Sequence, residues 1–262
     1  MPPYISVIVP CYHSQPYIRH CITSLIEQTY KNWEAIFVID DSNFDNTVNI
    51  LLEYSSDKRI RMTTFAGKTN PATARNYGIG LALGEFIAFL DADDWWEPTK
   101  LSRSMDTFYQ HPERQWCAHW VTEYRNFCFI PTEVYPGHSM SIGGTGAVVC
   151  RRELLEKVRE ERGYIFDQRM NRNDDADLVL YIRHEPSVLI PAQLSYMRIR
   201  KDGLESSVSR YENYKIVMGM GRCNHAYGLM VFHTVLFLLQ CIGLDPVKVK
   251  QKVMSHVQIP EL

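Results

Sequence analysis

The residues of this chain best suited to chemistry are acids. Asp91, Asp93 and Asp94 close the apolar run Phe86-Ile87-Ala88-Phe89-Leu90. A run this short, aromatic and aliphatic, predicts a buried strand. Carboxylates at its C-terminal end face the crevice where open α/β sheets bind ligands. Like charges this close repel one another, and a cation relieves them. Hard oxygen donors suit Mg²⁺ or Mn²⁺, with phosphate oxygens completing the shell. A plainer reading serves part of the cluster, with Asp94 as a helix cap, Glu97 in the first turn and Pro98 near the first helical position. It leaves Asp91 and Asp93 unexplained.

Two more acidic segments stand out. Trp33 to Ile39 reads as a strand and runs into Asp40 and Asp41. An acid at a strand end can accept hydrogen bonds from ribose hydroxyls or a base N–H; Ser42, Asn43 and Asp45 equally suit a turn or cap. Asn173-Asp174-Asp175-Ala176-Asp177-Leu178 opens a helix. A carboxylate is favoured there electrostatically, and three are more than a cap requires. One of them, suitably placed, can take a proton from an attacking hydroxyl. Arg75 lies early in a helix that precedes the Asp91 strand, where its guanidinium can fork onto a carboxylate or phosphate. The commoner fate of such an arginine is an exposed surface position.

The elements that must position these groups follow from hydrophobic period. Ile5 to Val9 is a β-branched strand ended by Pro10. A helix is predicted over Pro16 to Gln28, with Ile18, Cys21, Ile22, Leu25 and Ile26 on one face. Further elements are a helix at Asn46 to Tyr54, a strand at Arg59 to Phe65, and a helix at Ala72 to Leu83 closed by Gly84. Strand alternating with helix implies a mostly parallel sheet. The ends at Pro10-Cys11-Tyr12, Asp40-Asp41 and Asp91-Asp93 then converge on one crevice, with Tyr12 offering an aromatic surface. Beyond a helix at Leu101 to Tyr109, Trp116 to Thr122 and Asn126 to Ile130 predict an antiparallel pair. Gly143 and Gly144 lie in a turn before the apolar Ala147 to Cys150. Short helices follow at Arg152 to Val158 and Asn173 to Ile182, and helix is expected from Tyr211 to about Val257.

The chain has 262 residues, 45% hydrophobic and 22% charged, with a net charge of −2. That accommodates one large α/β domain with a helical appendage. It supplies no global basic field for nucleic acid. Seven unpaired-looking cysteines and an N-terminus that runs straight into a strand point to a reducing, cytoplasmic setting. No apolar stretch reaches the roughly 20 residues that span a bilayer. The nearest, Leu229 to Ile242, is interrupted by His233, Thr234 and Gln240, and reads as a buried helix. A peripheral contact with the inner face of the membrane stays open for it, as does the oligomeric state.

The ordered set Ser6-Val7-Ile8-Val9-Pro10, Asp40-Asp41, Ala74-Arg75-Asn76-Tyr77-Gly78, Phe89-Leu90-Asp91-Ala92-Asp93-Asp94, Arg151 to Leu155 and Asp174-Asp175-Ala176-Asp177-Leu178 resembles the family 2 inverting glycosyltransferases of the GT-A fold. The closing Val188-Leu189-Ile190-Pro191 to Tyr196-Met197-Arg198 also looks like that family's last strand, and the likeness covers about Ile5 to Ser209. It implies a Rossmann-like, mostly parallel sheet flanked by helices, with a small antiparallel acceptor-side portion and a helical tail. The domain would span 1–210, split into a nucleotide-binding half (1–110) and an acceptor-side half (111–210), followed by a 211–262 extension. It implies that Pro10, Tyr12 and Asp40 or Asp41 hold the nucleoside of a sugar nucleotide, most commonly a UDP-sugar, and that Arg75 lies near the pyrophosphate. Asp91-Ala92-Asp93 would be the Asp-x-Asp motif, with Asp93 on Mn²⁺ or Mg²⁺ and Asp91 on ribose or metal. Asp175 would be the catalytic base. Asp174, where the family commonly has Glu, would lie on the acceptor side with Gly143 and Gly144. The implied acceptor is a growing glycan or a lipid-linked one.

Two rivals follow from the same residues. A sugar-1-phosphate nucleotidyltransferase would carry a glycine-rich, basic loop after the first strand, whereas Cys11-Tyr12-His13-Ser14-Gln15-Pro16 has neither glycine nor lysine. A catalytically degenerate nucleotide-binding homologue is disfavoured by the presence of both acidic clusters.

Overall fold

The structure is a computed structural model that describes residues 4–40, 45–66, 70–125, 128–132, 145–170, 173–199 and 234. The chain divides into two compact units, Met1–Gly203 and Leu204–Leu262. Every element below belongs to the first. The Tyr211-to-Val257 helix, the Leu229-to-Ile242 stretch, Asp41, Gly143 and Gly144 lie outside the described residues, apart from Thr234. Among the described residues no helix is long and apolar enough to cross a membrane.

Strand and helix alternate through β1 (Ile5–Cys11), α1 (Ile18–Ile26), β2 (Trp33–Asp40), α2 (Thr47–Glu53), β3 (Ile60–Phe65), α3 (Pro71–Leu81) and β4 (Phe86–Phe89). There follow β5 (Trp95–Trp96), α4 (Lys100–Gln110), β6 (Trp116–Arg125), β7 (Cys128–Thr132), β8 (Val148–Arg151), α5 (Arg152–Arg162), α6 (Asp174–Ile182) and β9 (Ser187–Arg198). The described strands form one sheet in the order β3-β2-β1-β4-β8-β6-β9-β5, with β7 paired to β6. The β3-β2-β1-β4 half is parallel. β8 then turns the sheet antiparallel against both β4 and β6. The expected mixed α/β architecture is the observed one.

Both faces of the sheet are covered, which is why its central strands read as continuous apolar runs. Val7 and Val9 of β1 pack with Ile22 of α1, Leu51 of α2 and Leu101 of α4. Ile8, one residue out of phase, packs with Ile79 of α3, Leu155 of α5 and Leu178 of α6. The alternation is the period-2 side-chain geometry of a strand. Because β4 lies on the opposite side of β1 from β2, the strand order reverses there, and a crevice opens beyond the carboxyl ends of β1 and β4.

Two expectations are corrected. Asp94, Glu97 and Pro98 do not start a helix. Trp95 and Trp96 form β5 against Tyr196 and Ser195 of β9, aromatic residues suited to a strand, and α4 begins at Lys100. That helix is capped from afar: Gln28 Oε1 accepts the Leu101 N–H at 3.0 Å. Gly84 does not close α3, which ends at Leu81 with Ala82 extended. A Cβ at Gly84 would lie 2.6 Å from the Ser6 backbone nitrogen, so the glycine answers a close approach rather than a left-handed cap.

Candidate active site

The carboxyl ends of β1, β2 and β4 bring together most of the acids singled out above. Register pairs Cys11 with Ile39, and Ile8 with Phe89. Pro10 is the penultimate residue of β1, and Tyr12, just beyond, is 52% exposed. The chain turns there through a left-handed His13, whose ring meets that of Tyr12 edge-on at 4.2 Å. Asp40 is buried at the end of β2. After β4 the chain makes a turn in which the Asp94 N–H donates to the Asp91 carbonyl at 3.0 Å. Ala92, between the two acids, is buried in the apolar core.

Arg75 joins this edge to the second acidic cluster. Its Nη2 donates to Asp91 Oδ1 at 2.7 Å and its Nη1 to Asp174 Oδ2 at 2.6 Å. The side chain is buried, as is that of Asp174, while Asp91 stays 44% exposed. It is therefore no surface arginine; it forks onto two carboxylates rather than one. Burial works against its charge, but Asp91 and Asp174 outweigh that and hold the guanidinium protonated. Burial also pushes the Asp174 carboxyl up to about 6, against the pull of Arg75.

Helix α3 carries two further ties to the segment that leads into α6. Asn70 caps α3 by accepting the Thr73 N–H at 2.9 Å, and its Nδ2 donates to the Gln168 carbonyl at 2.7 Å. Asn76 exchanges two hydrogen bonds with the Phe166 backbone, at 2.7 and 3.0 Å. The chain then enters α6 through Asn173 in the left-handed region, φ 55°. Sequence reasoning passed over both asparagines, although Asn-Pro at a helix start is a readable cap-and-N1 signal.

The three acids of α6 have different fates. Asp174 is bound to Arg75, and Asp177 forms an ion pair with Arg162 of α5. Asp175 has no ion-pair partner among the described residues; its Oδ1 accepts the Ala176 N–H at 2.8 Å.

Beyond the Asp-x-Asp segment, Asp94 Oδ1 accepts the Arg198 backbone N–H at 2.7 Å, and the Asp93 carbonyl accepts Arg198 Nε–H at 3.1 Å. Burial, then repulsion from Asp93 and Asp91, raises the Asp94 carboxyl well above the ordinary carboxylate range. Asp91, Asp93, Asp94, Asp174 and Asp175 thus gather around two arginines. Among the described residues no three acid, histidine or cysteine side chains converge as a metal cage built from protein alone. A separate cleft of about 380 Å³, lined by Asn76, Arg159, Tyr164 and Arg169, contains none of these acids.

Comparison with known proteins bears out the family resemblance. Residues 6–174 match the model for glycosyl transferase family 2. The chain is 44% identical over 97 residues to the Escherichia coli UDP-Glc:alpha-D-GlcNAc-diphosphoundecaprenol beta-1,3-glucosyltransferase WfgD, a match covering 37% of this chain and 38% of that protein. Among solved structures it is similar to Staphylococcus aureus TarS in complex with UDP-GlcNAc, with TM-score 0.69 and 20% identity over 83% of this chain and 65% of that one. It is also similar to the mannosyltransferase PcManGT of Pyrobaculum calidifontis in complex with GDP-Man and Mn²⁺, with TM-score 0.66 and 18% identity over 97% and 80% of the two chains. At such identities the two structures speak to the fold. The match spans well under two thirds of the E. coli enzyme's length.

Proposed function

We propose, for a chain that belongs to glycosyl transferase family 2, that it moves a sugar from a nucleoside diphosphate sugar to an acceptor hydroxyl with inversion at the anomeric carbon. One observation carries the reading: the Arg75 guanidinium grips Asp91 at the end of β4 and Asp174 at the start of α6. That double contact supports reading the donor-side and acceptor-side acids as parts of one crevice.

In this reaction Pro10, Asp40, Asp41 and the exposed Tyr12 ring hold the nucleoside. Asp175 takes the proton of the acceptor hydroxyl as its oxygen bonds to the anomeric carbon. The bond from that carbon to the diphosphate breaks, and the nucleoside diphosphate leaves with the electron pair. Asp175 is suited to the role because its two acidic neighbours are committed to Arg75 and Arg162. The rest is positioning and electrostatics.

A divalent cation fits the donor set. Asp91 and Asp93 offer hard carboxylate oxygens, and Asp94, raised first by burial and then by repulsion from Asp93 and Asp91, feels a negative charge that a cation would relieve. One or two carboxylates with substrate phosphates are the usual holding of Mg²⁺, and Mn²⁺ takes the same oxygen donors. Asp93, with Asp91, would hold the ion, which when bound neutralises charge on the departing diphosphate. The E. coli relative, named for UDP-Glc, and the TarS complex with UDP-GlcNAc support a UDP-sugar donor. The same relative, named for a diphosphoundecaprenol-linked sugar, supports a lipid-linked acceptor.

A thermal-shift screen of UDP, GDP and dTDP with and without Mn²⁺ tests the donor site, since a ligand that binds only the folded form raises the melting temperature. One of the three is expected to do so in a Mn²⁺-dependent way. Release of pyrophosphate from a nucleoside triphosphate, rather than of nucleoside diphosphate from a sugar nucleotide, would overturn the reading in favour of a nucleotidyltransferase.

A further inference from the structure

The crevice holds a second arginine that the reaction above does not use. Strand β9 runs parallel to β6, and two antiparallel pairings through β8 set β6 parallel to β4. The C-terminal end of β9, where Arg198 sits, therefore lies on the same edge of the sheet as Asp91 and Asp93. Arg198 is fixed there at both ends. Its backbone N–H is held by Asp94 and its Nε–H by the Asp93 carbonyl. Its guanidinium carbon lies 5.1, 5.0 and 5.3 Å from the ring centroids of Tyr17, Trp95 and Tyr124.

This caged guanidinium keeps its terminal nitrogens unspent. Among the described residues Nη1 and Nη2 have no hydrogen-bond or ion-pair partner, and neither is among the buried, unsatisfied atoms. The residue is partly exposed. Arg75, in contrast, has both terminal nitrogens committed to carboxylates. A rigid guanidinium with its fork open is a receptor for an oxyanion. The five nearby carboxylates would repel such an anion, so its binding calls for a fixed positive charge beside the Asp-x-Asp segment.

We propose that Arg198 binds the phosphate oxygens of the donor diphosphate and stabilises their charge as the sugar departs. This rests on the sugar-nucleotide reading above. The diphosphate is favoured over other anions because Arg198 is anchored to the backbone of Asp93, the acid assigned to the same diphosphate through its cation. Arg198 exchanges no proton; it donates N–H hydrogen bonds to oxygens that gain charge. The aromatic cage holds the fork in place before the ligand arrives, so little ordering is left for binding.

The test uses the full chain, Mn²⁺, and the nucleoside diphosphate that binds wild type best, with its monophosphate and farnesyl diphosphate as companion probes. Arg198→Met is expected to weaken diphosphate binding about tenfold or more, the size of a lost charge-assisted hydrogen bond. Monophosphate affinity should hold, and Arg198→Lys should recover part of the loss. Equal weakening of both nucleotides would mean that Arg198 only supports the fold, and the proposal falls. Unchanged diphosphate binding with lost farnesyl diphosphate binding would assign Arg198 to the acceptor's phosphates, and it falls again. A wild type that binds none of the nucleotides would remove the parent reading as well.

Discussion

Arg75 and Asp174, 99 residues apart in sequence, form a 2.6 Å ion pair with both side chains buried. This contact joins a helix of the parallel half of the sheet to the helix that carries the proposed base. Removing one partner of a buried pair leaves the other charge uncompensated, which costs about 3–5 kcal/mol. Arg75→Met is expected to destabilise the protein by that order. Arg75→Met with Asp174→Leu should regain most of it, since an apolar pair of similar volume is often as stable. Urea unfolding of both variants decides the point; an Arg75→Met protein as stable as wild type would refute it.

Asp175→Asn keeps the shape of the side chain and the Ala176 hydrogen bond while removing its capacity to take a proton. Transfer should fall by about 10²–10⁴-fold, the usual worth of a general base. Nucleotide binding in the presence of Mn²⁺ should be nearly unchanged. Nucleoside diphosphate release and calorimetric titration measure the two separately. A variant that retains most of its turnover would move the base elsewhere.

Three glycines near α3 should respond to alanine in different ways. A Cβ at Gly84 meets the backbone at Ser6 N, 2.6 Å, and Ile5 C, 2.8 Å. Neither can yield, because β1 is central and the Gly84 N–H donates to Ser6 Oγ at 2.8 Å. At Gly78 the nearest atom is an Ile8 side-chain methyl at 2.5 Å, which repacking can move. At Gly80 a Cβ meets nothing within 4 Å. Gly84→Ala should therefore cost most, and Gly78→Ala about 1–3 kcal/mol. Gly80→Ala should stabilise by about 0.5–1 kcal/mol, through helix propensity. The order of the three melting temperatures tests this.

Lys100 is fully buried with its Nζ 3.5 Å from the Trp96 ring centroid and no hydrogen-bond partner among the described residues. Burial brings its amine down to about 7. The unfolded amine, near 10.5, still binds a proton over the range where the folded one has lost it. Stability should therefore rise with pH from about 7 to about 9, by at most about 1.4 kcal/mol per unit. His119, held down to about 3 by burial and by the Lys100 charge, titrates below this window. Lys100→Met should flatten the rise and stabilise the protein near neutrality. A slope unchanged in the variant, followed by denaturant titration across that range, would assign it to another group.

Much of this architecture was legible in local pattern. Continuous apolar runs marked β1, β2 and β4, and period 3.6 marked α1, to within two residues or so, because burial on both faces of a strand or on one face of a helix is written directly into the residue pattern. The acids at the ends of β2 and β4 were legible for the same reason. Trp95-Trp96 was not, since a two-residue strand has no period and exists only because β9 lies beside it.

Residue order alone determined where strands end in acid and which family the chain resembles, since both rest on short-range pattern. Only the tertiary structure decided which acids are free. Asp174 and Asp177 are paired with Arg75 and Arg162, whereas Asp175 has no ion-pair partner among the described residues, although all three sit within four consecutive residues. It also decided that Gln28 caps α4 and that Arg198 keeps an open fork beside Asp93. The physical reason is common to all of them. A charge or a hydrogen bond is settled by whatever lies within about 3 Å in space, and here those neighbours come from segments 15 to 105 residues away.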